Sequence, residues 1–195
     1  MRWGPEFLPA GGVRFRLWAP YREQVDLEVD GRGTVPMIAS GGFGDGRGLA
    51  AALALGADGI NMGTRFLATK ECAIHDNVKQ KIVASDERDT NLIFRKLKNT
   101  ARVGKNAVSD EVVAILSRPD ATFDDVAHLV GGAKGRAAIE TGDLDRGMYW
   151  AGMVQGLIHD VPSVAELVSR TVGDAEAIIR ERMAGLLGER PALAA

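Results

Sequence analysis

An α/β fold is predicted for this chain, preceded by a β-hairpin fragment and followed by a helical cap. Three observations carry that prediction: two alternating segments near the N-terminus, a strand–helix–strand pattern over residues 35–64, and helical periodicity that dominates from there to residue 187.

The alternation comes first in the chain. Val13, Phe15 and Leu17 alternate with Arg14 and Arg16, and Val25, Leu27 and Val29 alternate with Asp26 and Glu28, the period-2 signature of half-buried strands. Two antiparallel strands joined by residues 19–24 are expected, and because a lone hairpin is marginal in water they need a further surface to pack on.

From Thr34 the texture changes. Val35 to Ser40 is a short apolar run ending in Gly41-Gly42, expected as a strand buried on both faces of a parallel sheet. Asp45 is placed to cap a helix running through Leu49 to Leu55 and stopped by Gly56. Residues 58–64 make the second strand, and the crossover between the two should be right-handed. Helical patterns follow over 73–84, 110–116, 123–130 and 147–158. The last, over 164–187, puts Val164, Leu167, Val168, Val172, Ala175, Ile179, Met183 and Leu186 on one face. Residues 189–195, with Pro191, read as a frayed tail. The expected organisation is therefore 1–33, a β-strand fragment; 34–188, the α/β unit with its cap; and 189–195, the tail.

Composition narrows the function class. With 46% apolar and 26% charged residues the chain is of ordinary globular type, and a net charge of −2 with scattered Lys and Arg leaves no footprint for nucleic acid or an anionic membrane. Cys72 is the sole cysteine, which rules out an internal disulfide and fits a reducing, cytoplasmic location. Neither a leader nor a membrane span is read from the sequence. A small-molecule reaction is the expected chemistry.

The informative stretch is Ser40-Gly41-Gly42-Phe43-Gly44-Asp45-Gly46-Arg47-Gly48 after one strand, with Met62-Gly63-Thr64 after the next. Glycines at a strand's C-terminal end let backbone N–H groups approach an anion, and a following helix N-terminus adds partial positive charge. A phosphate suits this arrangement, and Gly63 with the Thr64 hydroxyl would complete the cradle, as at the last two strands of a (β/α)8 barrel. The alternative is that the glycines only permit tight turns. Neither the dinucleotide glycine spacing nor the P-loop pattern is satisfied, since Arg47 stands where the third glycine would fall.

Residues 35–69, Val-Pro-Met-Ile-Ala-Ser-Gly-Gly through Asn-Met-Gly-Thr-Arg-Phe-Leu-Ala-Thr, closely resemble the nitronate monooxygenase family. The resemblance continues through Leu97-Lys98-Asn99-Thr100-Ala101-Arg102-Val103 and Trp150 to Ile158, where it is most similar to the NADH:quinone reductases of that family. It implies the C-terminal portion of a TIM barrel, its last two strands, with FMN as cofactor and NAD(P)H as reductant in the quinone case. The FMN phosphate would then be held by Gly41, Gly42, Met62, Gly63 and Thr64, and the substrate would be a nitronate or a quinone. The same resemblance puts the active-site histidine in a Gly-His segment upstream, which nothing here matches.

No catalytic residue is assigned accordingly. His75, His128 and His159 are read as surface or packing histidines on helices without metal-ligand spacing, and Cys72 as a small buried thiol. The Lys and Arg residues of 95–105 are read as a solvated basic stretch, with contact to a pyridine-nucleotide phosphate as the alternative. Residues 2–30, from Trp3-Gly4-Pro5 to Leu17-Trp18-Ala19-Pro20 and beyond, resemble the opening of the immunoglobulin-like domain of maltooligosyltrehalose trehalohydrolases. Two truncated genes joined near residues 31–33 are implied. Two expectations of different class follow: an FMN oxidoreductase, or a non-catalytic fragment that at most binds the FMN phosphate or self-associates through unpaired barrel strands.

Overall fold

A computed structural model describes residues 4–7, 13–16 and 36–186, in two compact units divided after Pro36. In the first unit, β1 (Gly4–Phe7) pairs antiparallel with β2 (Val13–Arg16), Gly4 opposite Arg16 and Phe7 opposite Val13. Residues 13–16 are thus a strand as expected, but their partner is 4–7. The expected strand at 25–29 lies outside the described residues. Only five residues, with Pro9, Gly11 and Gly12 among them, separate β1 from β2, so this pairing closes the shorter loop.

The second unit begins with the parallel pair. β3 (Ile38–Ser40) runs beside β4 (Gly59–Asn61) in the register Ile38–Gly59, Ala39–Ile60 and Ser40–Asn61. Between them lies α1 (Gly46–Ala54), capped by Asp45, whose carboxylate accepts from the Arg47 and Gly48 amides at 3.0 and 3.2 Å. Gly56, at φ +99°, turns the chain back after the helix. One expectation fails here. β3 is not buried on both faces, because Ile38 is 54% exposed and no strand but β4 pairs with it among the described residues.

α2 (Thr64–Leu67) and α3 (Asp76–Val83) lead into a hairpin of β5 (Thr90–Ile93) and β6 (Ala101–Gly104), then α4 (Ala107–Leu116), α5 (Asp124–Val130) and α6 (Gly132–Thr141). The solvated basic stretch expected at 95–105 forms the connection of this hairpin and its second strand. Its connection places Phe94 and Lys98 at positive φ without a glycine at either position, so the sequence does not mark where the chain turns. Ile93, Val103, Val112, Val126 and Leu129 form the cap's main core, and α4 carries a reciprocal capping box between Asn106 and Ser109. A second cluster joins Ala68, Val78, Ile82, Tyr149, Ala151 and Ile158.

The helix expected over 147–158 is absent. The segment is irregular up to a short 3-10 turn at Met153–Leu157. Gly147, Gly152 and Gly156 lower its helix propensity, and its backbone bonds outward instead, with the Tyr149 carbonyl accepting from Gly104 N–H at 3.0 Å.

α7 (Val164–Ala177) continues through a π-helical turn (Ile178–Met183) into α8 (Ala184–Leu186). Its buried line is Leu167, Thr171 and Ala175, narrower than the predicted face: Val168, Val172 and Ile179 are 43%, 51% and 40% exposed. The reason is the partner. α7 packs on α1 at Gly46, where a Cβ would lie 2.8 Å from the Thr171 carbonyl and 2.7 Å from the Ala175 nitrogen, so the contact is a close backbone line. Among the described residues no helix is long and apolar enough to cross a membrane.

Candidate functional site

The register of β3 and β4 places their C-terminal ends level. At the opposite end, Met37 N–H donates to the Asp58 carboxylate at 2.7 Å and Asp58 N–H to the Met37 carbonyl at 2.7 Å, which pins that register. At the C-terminal ends, Asn61 Nδ2 donates to Ser40 Oγ at 3.3 Å. Gly41-Gly42 and Met62-Gly63-Thr64 therefore leave the sheet side by side.

Each residue of the expected cradle can now be placed. Gly41 and Gly42 have φ of +94° and +79°, the left-handed region that a side chain resists, and both are exposed. A Cβ at Gly41, Gly42 or Gly63 would meet no atom within 4 Å, so the space above this backbone is open. Met62 and Thr64 are half-buried. Thr64 Oγ1 accepts from Gly152 N–H at 2.9 Å, which occupies a lone pair and leaves the hydroxyl proton free to donate.

The N-terminus of α1 behaves differently from the expectation. Asp45 already takes its Arg47 and Gly48 amides, and Arg47 Nε donates to the same carboxylate at 2.8 Å. Burial pushes the Asp45 carboxyl up, but the bonds from the Arg47 side chain and the Gly48 and Arg47 amides hold it below its ordinary value. An ionised aspartate thus offsets the helix dipole. The backbone with open space beside it belongs to the strand ends.

Other sequence candidates fall elsewhere. His75 is the exposed N-cap of α3, its Nδ1 accepting from Asn77 N–H at 3.1 Å; His128 is exposed on α5, and His159 is exposed in the segment before α7 rather than on a helix. Cys72 is half-buried instead of buried. Of the basic stretch, Lys96 Nζ donates to the Arg118 and Pro119 carbonyls, which ties the hairpin to the segment after α4, and Arg102 donates to Thr90 Oγ1 across the hairpin's own strands. Among the described residues no group of His, Cys, Asp and Glu is arranged to hold a metal.

Two features beside the site had no signal in the sequence: Gly152, which holds Thr64 from 88 residues away, and the buried Arg65, which reaches Asp160. Tyr149 is also buried with its hydroxyl unpartnered among the described residues, and burial followed by the Asp89 charge raises its pKa to about 12.

Comparison with known proteins gives a consistent answer. Residues 9–174 match the family model for nitronate monooxygenase, a span that starts within residues 2–30. The chain is similar to a nitronate monooxygenase of Paraburkholderia phytofirmans, 34% identical over 136 residues, covering 70% of this chain and 37% of that protein. Among solved structures it is similar to FabK from Thermotoga maritima, with 34% identity and a TM-score of 0.71 over 78% of this chain and 48% of that one. It is similar too to a nitroalkane oxidase from Streptomyces ansochromogenes, with 27% identity and a TM-score of 0.56 over 80% and 42%. The fold is that of part of a TIM barrel, and the chain spans less than half the length of each of these three relatives.

Proposed function

Because the chain belongs to the nitronate monooxygenase family, we propose that its level strand ends hold the phosphate of FMN in an oxidoreductase acting on a nitronate or on a quinone. The observation that carries this reading is the paired, side-chain-free backbone of Gly41-Gly42 and Gly63 beside a Thr64 hydroxyl with a proton to give. Backbone N–H groups of Gly41, Gly42 and Gly63 would donate to phosphate oxygens, Thr64 Oγ1–H would add a fourth bond, and Met62 would pack beside them. The net charge-assisted character of such bonds makes them stronger than neutral ones. When bound, FMN supplies the redox chemistry, with NAD(P)H as its reductant in the quinone reaction, and the protein supplies position and electrostatics.

A second reading has its own support. Ile38 is 54% exposed on a strand of a type that is normally covered on both faces, and β3 and β4 pair only with each other among the described residues. On this reading the chain is a non-catalytic fragment that binds the FMN phosphate at most, or self-associates through those edges.

One experiment separates them. The purified chain is mixed with FMN, desalted, and examined for a retained flavin spectrum, for NADH oxidation with a quinone, and for oxygen uptake with a nitronate. Retained flavin with turnover supports the oxidoreductase. Retained flavin without turnover, or a mass above one chain by light scattering, supports the fragment. No retention at micromolar FMN removes the cofactor from both readings.

A further inference from the structure

The turn that carries Gly63 and Thr64 is held from behind by a buried arginine. Arg65 is 2% exposed, and its Nη2 donates to the Asp160 carboxylate at 3.1 Å, to the Asp160 carbonyl at 3.2 Å and to the Ala68 carbonyl at 3.4 Å. Asp160 is held in turn by Arg170 of α7, in two bonds of 2.7 and 3.2 Å. One carboxylate therefore ties α2, the segment before α7 and α7 itself.

Arg65 follows Thr64 directly and lies in the first turn of α2, so fixing its guanidinium fixes the rotation of that turn. That rotation sets where Gly63 N–H and the Thr64 hydroxyl point, and in it Gly152 N–H reaches Thr64 Oγ1 at 2.9 Å. We propose that Asp160 is a positioning residue for the phosphate cradle, acting through Arg65 to hold Gly63 and Thr64 in donating geometry. Among the described residues no hydrogen bond joins Asp160 to the cradle itself. A carboxylate is needed because an acceptor-only group takes both nitrogens of the Arg170 fork and, on one of the same oxygens, Nη2 of Arg65, and an amide replaces one acceptor by a donor. The burial of Arg65 adds to the requirement: its Nε has no partner among the described residues, so loss of the Asp160 charge leaves a desolvated cation nearly unanswered.

This inference rests on the FMN reading for its ligand but not for its geometry, and its test has an arm for each. In the first arm FMN and riboflavin are titrated by flavin fluorescence against the full chain and against Asp160→Asn. The two ligands differ by the phosphate alone. Asp160→Asn should weaken FMN about tenfold, the size of one lost charge-assisted bond, and leave riboflavin within about twofold. Asp160→Glu should recover part of the loss. Equal weakening of both ligands would mean that Asp160 only stabilises the fold, and would overturn the proposal.

In the second arm no flavin is present, and amide hydrogen exchange is followed at Gly152, whose N–H is protected by Thr64. Exchange at Gly152 should quicken at least tenfold in Asp160→Asn while β5 and β6 amides stay as in the parent; unchanged exchange at Gly152 would overturn the proposal. If the parent binds neither flavin but Gly152 responds, the cofactor reading fails and the positioning role stands. Should Asp160→Asn not fold, Arg65→Lys keeps a buried cation that ends one atom short of the Nη2 position and must show the same selective losses, or the proposal falls.

Discussion

The second unit holds two small β-pairs that are opposites in their support. β5 and β6 lie against α4 and α5, with Ile93 and Val103 at 1% and 0% exposure in a core of their own. β3 and β4 carry the loops of the proposed site, yet Ile38 and the preceding Met37 are 54% and 37% exposed, and among the described residues the pair's main support is α1. The cap is stabilised by what it buries. The parallel pair is stabilised by local hydrogen bonds and by the contact of α1 with α7, and little covers the glycine backbone at its strand ends.

That contrast can be broken or sharpened by substitution. The largest effect is expected for Ile93→Ala, which empties a fully buried site in the cap and should lower unfolding free energy by about 2–5 kcal/mol in chemical denaturation. An effect under about 1 kcal/mol would show the cap core to be loosely packed. Next comes Gly46→Ala. The added Cβ meets the Thr171 carbonyl and the Ala175 nitrogen, so α1 and α7 must part, at a cost of about 1–3 kcal/mol of the overpacking kind. Because α1 is the main support of β3 and β4, the same substitution should raise exchange at the β4 amides before those of β6.

A smaller effect should follow pH. Arg170 first, then Arg65, holds the Asp160 carboxyl below its ordinary value of 3.8, against the opposing effect of burial. A group with a lowered folded-state pKa adds stability above its unfolded value, lost as pH falls through the folded one. The difference in melting temperature between the parent and Asp160→Asn should therefore be constant at neutral pH and shrink once the pH falls below 3.8. Its size is modest because the Asp160 side chain is 44% exposed. A difference that persists unchanged in acid would separate Asp160's role from its charge. The smallest effect is expected for Ile38→Ala, within about 0.5 kcal/mol, since little of its surface is withdrawn from water. A loss near that of Ile93→Ala would mean that β3 is covered in solution, as self-association would do.

Much of the site was legible along the chain because its parts are local. Asp45 as a cap needs only the two or three residues after it, and Gly41-Gly42 after an apolar run marks a strand end by conformational restriction alone. Parallel pairing of 38–40 with 59–61 followed from the helix between them. The β5–β6 hairpin was not legible, because its connection uses Phe94 and Lys98 in conformations usually given to glycine or asparagine. The false helix at 147–158 has a similar cause: its residues bond to β6 and to Thr64, and periodicity cannot see those partners.

What the sequence determined by itself was the family, the α/β unit over residues 35–64 and the glycines at its strand ends, since each rests on near neighbours in the chain. Tertiary structure alone decided that Thr64 Oγ1 accepts from Gly152 N–H, that Asp45 offsets the dipole of α1, and that Arg65 is buried against Asp160. Gly152 lies 88 residues from Thr64 and Asp160 lies 95 from Arg65, and at such separations only the folded packing brings donor and acceptor within reach.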